Sequence, residues 1–326
     1  MNKILLFALL SLVLIISGCQ NDRLAVPENA EDTLMVSHLK DPSLTFIDKE
    51  TQKVMDTVEL DETIADMVRI DDEHIAYISK DSGTLNILNT ADGNLKQWED
   101  IGAGVNELLY SDETRQLFLS ASGGNQVKVF NINEEKVTAA IPVGKFPLSM
   151  ALDEQAGLLF VVNQKGSSVS VIDANELEVT REFLVPYLPE GIWFKDSKLY
   201  VGGHGPVHGD LNRFVYVIDP ESGGQLDRIE VGLMPVKFFS PPASKDLYVV
   251  CHGSHELYKI AAYRGATEKV KVGANPYDVT GNKDMLYVSS IDSNSLFILD
   301  LDTFDITSEI DIDGGPVAII EGGGSE

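Results

Sequence analysis

A ring of seven four-stranded antiparallel blades, an all-β propeller, is the fold class this sequence predicts. Three features predict it: short runs rich in Val, Ile and Phe broken by Gly, Asn and Asp, a repeat of about 42 residues, and a last strand with no blade of its own. The clearest copy is LLFVVNQKGSSVSVIDANELEVTREFLV, residues 158–185. It reads as strand, tight turn at Lys165-Gly166, strand, turn through Asn175, strand. The same frame recurs as LYVSS…SLFILDLDTFDITSEIDI, LYVVC…ELYKIAAYRGATEKVKV, LFLSA…QVKVFNINEEKVTAAIPV and AYISK…TLNILNTADGNLKQW.

Two columns fix the period. Met35, Tyr77, Phe118, Phe160, Tyr200, Tyr248 and Tyr287 mark the second strand, at spacings of 42, 41, 42, 40, 48 and 39. Asp48, Asn89, Asn131, Asp173, Asp219, Ala261 and Asp300 close the third, at spacings of 41, 42, 42, 46, 42 and 39. An Asp or Asn there suits a side chain that caps its own turn, so the column reads as structural. The string Asp300-Leu301-Asp302-Thr303-Phe304-Asp305 imitates the start of a calcium loop. It lacks the Gly required where Asp305 stands and the Glu required where Asp311 stands.

The first, innermost strand of each blade precedes this frame. It follows a turn ending in Pro, as in VGKFP (143–147), VGLMP (231–235) and VGANP (272–276). Residues 33–60 supply only three strands, whereas Gly315-Pro316-Val317-Ala318-Ile319-Ile320 is a Pro turn plus a strand at the other end of the chain. The C-terminal strand therefore completes the first blade and closes the ring, which removes open sheet edges. This pattern, with Leu159-Phe160-Val161-Val162-Asn163 nearest to the name motif, resembles the YVTN-type seven-bladed β-propellers over residues 33 to about 320. The resemblance implies a bacterial surface or exported protein of open role, more distantly similar to the propeller parts of quinone and haem d1 enzymes.

The N-terminus predicts export. One positive charge at Lys3 precedes an apolar run from Ile4 to Ile16, too short for a comfortable transmembrane helix. Ile16-Ser17-Gly18-Cys19 resembles the lipobox of bacterial lipoproteins, which implies cleavage before an acylated Cys19. Acyl chains contribute roughly 0.8 kcal/mol per buried methylene, so they would hold the domain on the extracytoplasmic side of a bacterial membrane. The expected divisions are a signal peptide (1–18), Cys19 with a polar tether (19–32), the propeller (33–320) and a Gly-rich tail (321–326). With Cys19 lipidated, Cys251 has no disulfide partner. A formal charge of -26 repels phosphate backbones and excludes nucleic acid as a natural partner.

In a repeat protein, function is sought where copies depart from the frame. From the second-strand marker to the third-strand cap, six copies take 12 or 13 residues and the fifth takes 19. Its extra residues lie in GGHGPVHGDLNRF (202–214), which contains His204 and His208. The matching stretch of the sixth copy, VVCHGSHELY (249–258), contains Cys251, His252 and His255. His204 and His252 each lie four residues past the marker, so they should meet on the face that carries the Pro turns. Imidazoles near a soft thiolate point to copper or zinc. Lys237 and Asp278, two residues past the Pro turns of blades six and seven, are expected at the channel mouth.

No catalytic set is visible: the chain has no GxSxG elbow, no Walker loop and no CxxCH. The leading expectation is a lipid-anchored platform that binds a protein or small molecule through the loops of blades five and six. A metal- or cofactor-dependent redox enzyme using His204, His208, His252 and His255 comes second, and a structural envelope component third.

Overall fold

The computed structural model describes residues 22–99, 101, 104–206, 208–242, 244–261 and 267–323. The expected signal peptide and Cys19 lie outside the described residues. Seven antiparallel sheets form the ring, six of four strands and one of five. The closing blade is built as the sequence predicts: Pro316–Glu321 is innermost and pairs with Thr33–His38, followed by Ser43–Asp48 and Lys53–Glu59. Its register sets Leu34 against Glu321 and Met35 against Ile320.

The continuous apolar runs of the sequence have a geometric cause. The second and third strands of each blade are covered by a neighbouring blade on both faces, so polar and apolar residues need not alternate. In blade four, Leu158–Asn163 and Ser168–Asp173 are buried almost throughout, while the outer Glu178–Leu184 is mostly exposed. Phe160, Val162, Val169 and Val171 of that blade pack with Ile192, Leu199 and Val201 of blade five. Fully burying one such side chain contributes about 1.5–3 kcal/mol.

The turn column is structural. The Asp173 carboxylate accepts from the Asn175 and Glu176 amides at 2.9 and 3.0 Å, and Asn131 does the same for Asn133 and Glu134. Asp300 caps the calcium-like string by accepting from the amides of Asp302 and Thr303.

A second repeated device sets the loop face. In six blades the residue four past the second-strand marker, and in blade two the residue three past it, donates its amide to the turn residue just before the innermost strand. The donors are Leu39, Lys80, Ser122, Gln164, His204, His252 and Ile291; the acceptors are the carbonyls of Gly315, Thr63, Gly104, Phe146, Leu188, Met234 and Asn275. Four of those acceptors, Phe146, Leu188, Met234 and Asn275, hold φ between 49 and 60 immediately before a Pro. Each blade thus presents one equivalent side-chain position beside its innermost strand.

Both ends of the chain differ from expectation. The stretch read as a tether is docked from Asp22 onward: Asp22–Arg23 adds a fifth strand to blade two, Leu24 donates to the Gly93 carbonyl at 2.9 Å, and Ala30 is buried. An unpaired outer strand edge and the apolar Leu24 and Val26 explain the docking. At the other end Glu321 belongs to the closing strand, and the Gly322 amide donates to Thr33 at 2.7 Å.

Candidate functional site

Blade five opens where blade four stays closed. In blade four the hairpin pairs from Leu158–Asp173 to Asn163–Ser168, and the Asn163 amide donates to the Ser168 and Ser170 hydroxyls at 3.1 and 2.9 Å. Blade five carries Gly203 in the place of Asn163, where a Cβ would lie 2.2 Å from the Leu188 carbonyl oxygen. Pairing of its second and third strands stops at Val201–Tyr216. Asn212 then ties the long loop down. Its amide donates to the His204 carbonyl at 3.0 Å, its side chain donates to the Gly203 and Phe214 carbonyls, and its carbonyl accepts from Met234.

The amide bonds to Leu188 and Met234, at 3.2 and 3.0 Å, hold His204 and His252 at the shared position on adjacent blades. Their rings lie 5.9 Å apart between centroids, edge to face. Beneath them is Glu190 on the innermost strand of blade five, Pro189–Lys195. Its Oε2 stands 3.0 Å from His204 Nε2. Both atoms are shielded from water and face each other as an ion pair. The Glu190 carboxylate holds His204 above the ordinary imidazole range, against the opposing effect of burial. Burial and then the neighbouring His204 hold His252 below it, which favours the neutral ring.

The other predicted residues separate from this pair. Cys251 ends the second strand of blade six, is 0% exposed, and packs among Val215, Val231 and Phe238. Burial pushes its thiol up to about 12, so it is a core residue and not a soft ligand beside the imidazoles. His255 takes a positive φ of 61 and its Nδ1 accepts from the Asn275 amide at 3.1 Å, which ties it to blade seven. His208 is exposed on the loop and has no hydrogen bond or ion pair with a described residue.

Lys237 and Asp278 line a central cavity of about 70 Å3, together with Asp66, Glu107, Glu190 and Tyr277. Lys237 Nζ bonds Glu107 Oε1 at 3.0 Å across the channel. The carboxylates are also clasps between blades. Asp66 accepts from the Leu108 amide at 2.8 Å, Glu107 from Met150 at 2.5 Å, and Asp278 from Ile319 at 3.0 Å, each on the next innermost strand. Burial lifts the Asp66 carboxyl to about 7 against the pull of Lys237. Burial lowers the Lys237 pKa less than Glu107, Asp278 and Asp66 raise it, so the amine stays charged. This set locks the ring at its axis.

Glu190 is the residue that the sequence reading omits. The signal for it exists: the position after each Pro is Leu148, Val236, Tyr277 and Val317 in other blades, and Glu190 alone among them is charged.

The chain is a seven-bladed β-propeller, and comparison with known proteins places it among them. A family model described as "Lactonase, 7-bladed beta-propeller" matches residues 59–188. The zinc chaperone AztD of Citrobacter koseri is 24% identical over 196 residues, which cover 54% of this chain and 42% of that protein, less than half of its length. The apo AztD structure from Citrobacter koseri superposes with a TM-score of 0.61 at 14% identity, covering 88% of this chain and 96% of that one. A functionally unknown protein from Desulfotomaculum acetoxidans gives a TM-score of 0.72 at 13% identity, covering 89% and 98%. Dihydro-heme d1 dehydrogenase NirN gives 0.63 at 10% identity, covering 93% and 77%. At these identities the solved structures share the fold alone.

Proposed function

We propose that this chain is a YVTN-type, lipid-anchored extracytoplasmic propeller that binds zinc as cargo between blades five and six, with His204, His252 and Glu190 as ligands. The observation that carries the reading is the shielded ion pair of His204 Nε2 and Glu190 Oε2, standing 3.0 Å apart beside the second imidazole of His252. Zinc bonds of about 2.0–2.2 Å at tetrahedral angles separate neighbouring ligand atoms by about 3.3 Å, close to that spacing.

Among the described residues no three His, Cys, Asp or Glu side chains already converge as a metal site. The His252 ring therefore swings in to complete the set, and the fourth position remains open. Three protein ligands with one open position suit exchange and hand-over, in contrast to a closed structural site. The buried Cys251 removes the soft ligand that would favour Cu(I), and the remaining imidazole and carboxylate set at tetrahedral angles is one that zinc takes. The relative named a zinc chaperone supports the same choice. Acylation at Cys19 would keep the cargo at the membrane surface for a protein or small-molecule acceptor.

Elemental analysis tests this. The purified protein, without a His tag, is incubated with zinc or copper and desalted. Near-stoichiometric zinc is expected, with loss in the His204→Ala, His252→Ala double variant. Retention of zinc by that variant would refute the site, and absence of zinc from the wild type would refute the function.

A further inference from the structure

Across the ring from the imidazoles, on the same loop face, a cavity of about 800 Å3 opens between blades one and two. Its walls carry the carboxylates Glu59, Asp61, Glu62 and Glu99 against a single cation, Arg23. None of the four forms an ion pair with a described residue. Glu62 accepts only from the Ser82 amide, at 2.9 Å, and Arg23 is taken up by the Asn94 side chain. The wall amides are already satisfied, since Gln97 donates to Asn86 and Asn86 donates to Ser79 and Thr84.

Tyr77 is the independent sign of a ligand. It is 5% exposed, packs its ring in the core between these two blades, and lines the cavity with a hydroxyl that has no hydrogen-bond partner. The equivalent Tyr287 of blade seven is satisfied by Asn282 at 3.3 Å. The ring is buried, and the hydroxyl is the part that opens into the cavity without a protein partner, so a polar group from outside can bond it there. Burial, then the charge of Asp61, raises the Tyr77 pKa, which keeps the phenol neutral and able to accept a hydrogen bond.

We propose that this groove binds a linear alkyl polyamine, its ammonium groups on Glu59, Asp61, Glu62 and Glu99 and one of them donating to the Tyr77 hydroxyl. Leu24, Leu60 and Leu95 line the same cavity and cover the methylene segments between the charges. A bare metal ion would fill little of a cavity of about 800 Å3. A neutral sugar fits poorly as well, because Tyr77 offers an edge hydroxyl and no open aromatic face on which a sugar ring would stack.

The test is calorimetric titration of the purified protein with spermidine at about 0.15 M salt, where bare surface attraction is screened beyond roughly 8 Å. One saturable site is expected. It weakens about tenfold in Tyr77→Phe, whose melting temperature stays near that of wild type, and also weakens in the surface variant Asp61→Asn. His204→Ala leaves it unchanged, which separates this site from the zinc reading. Absence of saturable binding overturns the proposal. So does spermidine binding that is equal in wild type and Tyr77→Phe, which would mark diffuse attraction to an acidic surface.

Discussion

Blades four and five are built from the same frame and part just past their second strands, where blade five has Gly203 in the place of Asn163 and takes 19 residues from marker to cap against 13. Asn163 of blade four spends its amide closing its own hairpin, and the next side chain, Gln164, stands over an ordinary turn. Gly203 of blade five lets the Leu188 carbonyl come too close for any side chain, the hairpin opens early, and His204 is left over Glu190. The backbone bond that anchors position 164 also anchors 204 and 252. A repeat scaffold thus supplies identical positions cheaply, and function enters where one copy releases a side chain from local duty.

The comparison breaks most severely at the packing column. Tyr248→Ala should cost about 3–5 kcal/mol in urea unfolding, because Tyr248 is 1% exposed and its removal leaves a cavity. Tyr200→Ala, in the opened blade, should cost about half as much, because Tyr200 is only half-buried. Equal losses would show that blade five is packed as tightly as the rest. Next in size is the exchange of the two hairpin residues. Gly203→Asn pushes a Cβ against the Leu188 carbonyl, so a loss of about 2 kcal/mol is expected, with the His204 pair displaced and zinc retention lost. Stability and zinc retention like those of wild type would show that Gly203 does not open the blade.

The axis is the control region, since its charges are structural. Glu107→Gln should lower stability by about 1–3 kcal/mol through loss of the charged partner of Lys237 while zinc retention stays intact. Loss of zinc in this variant would join the two regions into one site.

The smallest expected effect concerns pH and the closing blade. His38 is buried, its Nε2 bonds the Thr45 hydroxyl at 2.8 Å and its Nδ1 has no partner. Burial holds its pKa below 6.5, although Asp41 and the Asp313 backbone pull upward. As pH falls through 6.5, the unfolded chain takes up a proton that the folded blade resists, so stability drops from that point downward. The slope is at most about 1.4 kcal/mol per pH unit for this single group. His38→Gln should flatten the midpoint-against-pH curve between about pH 5 and 6.5, and an unchanged slope would assign the acid sensitivity elsewhere.

The fold was legible because its rules are one-dimensional. Turn caps such as Asp173 and aromatic markers such as Phe160 recur at a fixed spacing, and a Pro turn without a blade announced the closing strand. The axis was hidden because Ile64 and Val105 stand where Pro stands in the other five blades, so Asp66 and Glu107 carried no alignment mark. Cys251 was misread for a related reason: a strand covered on both faces does not alternate, so sequence gives no sign of which side a small residue takes. His204 and His252 were brought together by counting, whereas Glu190 comes from another strand and needed the blades aligned at their Pro turns.

X-ray absorption at the zinc edge on the loaded protein examines the central claim most directly. The account predicts a first shell of nitrogen and oxygen at about 2.0–2.2 Å, with the outer scattering of two imidazoles and no sulfur at about 2.3 Å. A sulfur shell would bring Cys251 out of the core, and a shell of water oxygens without imidazole would leave the His204 and His252 sector without its metal.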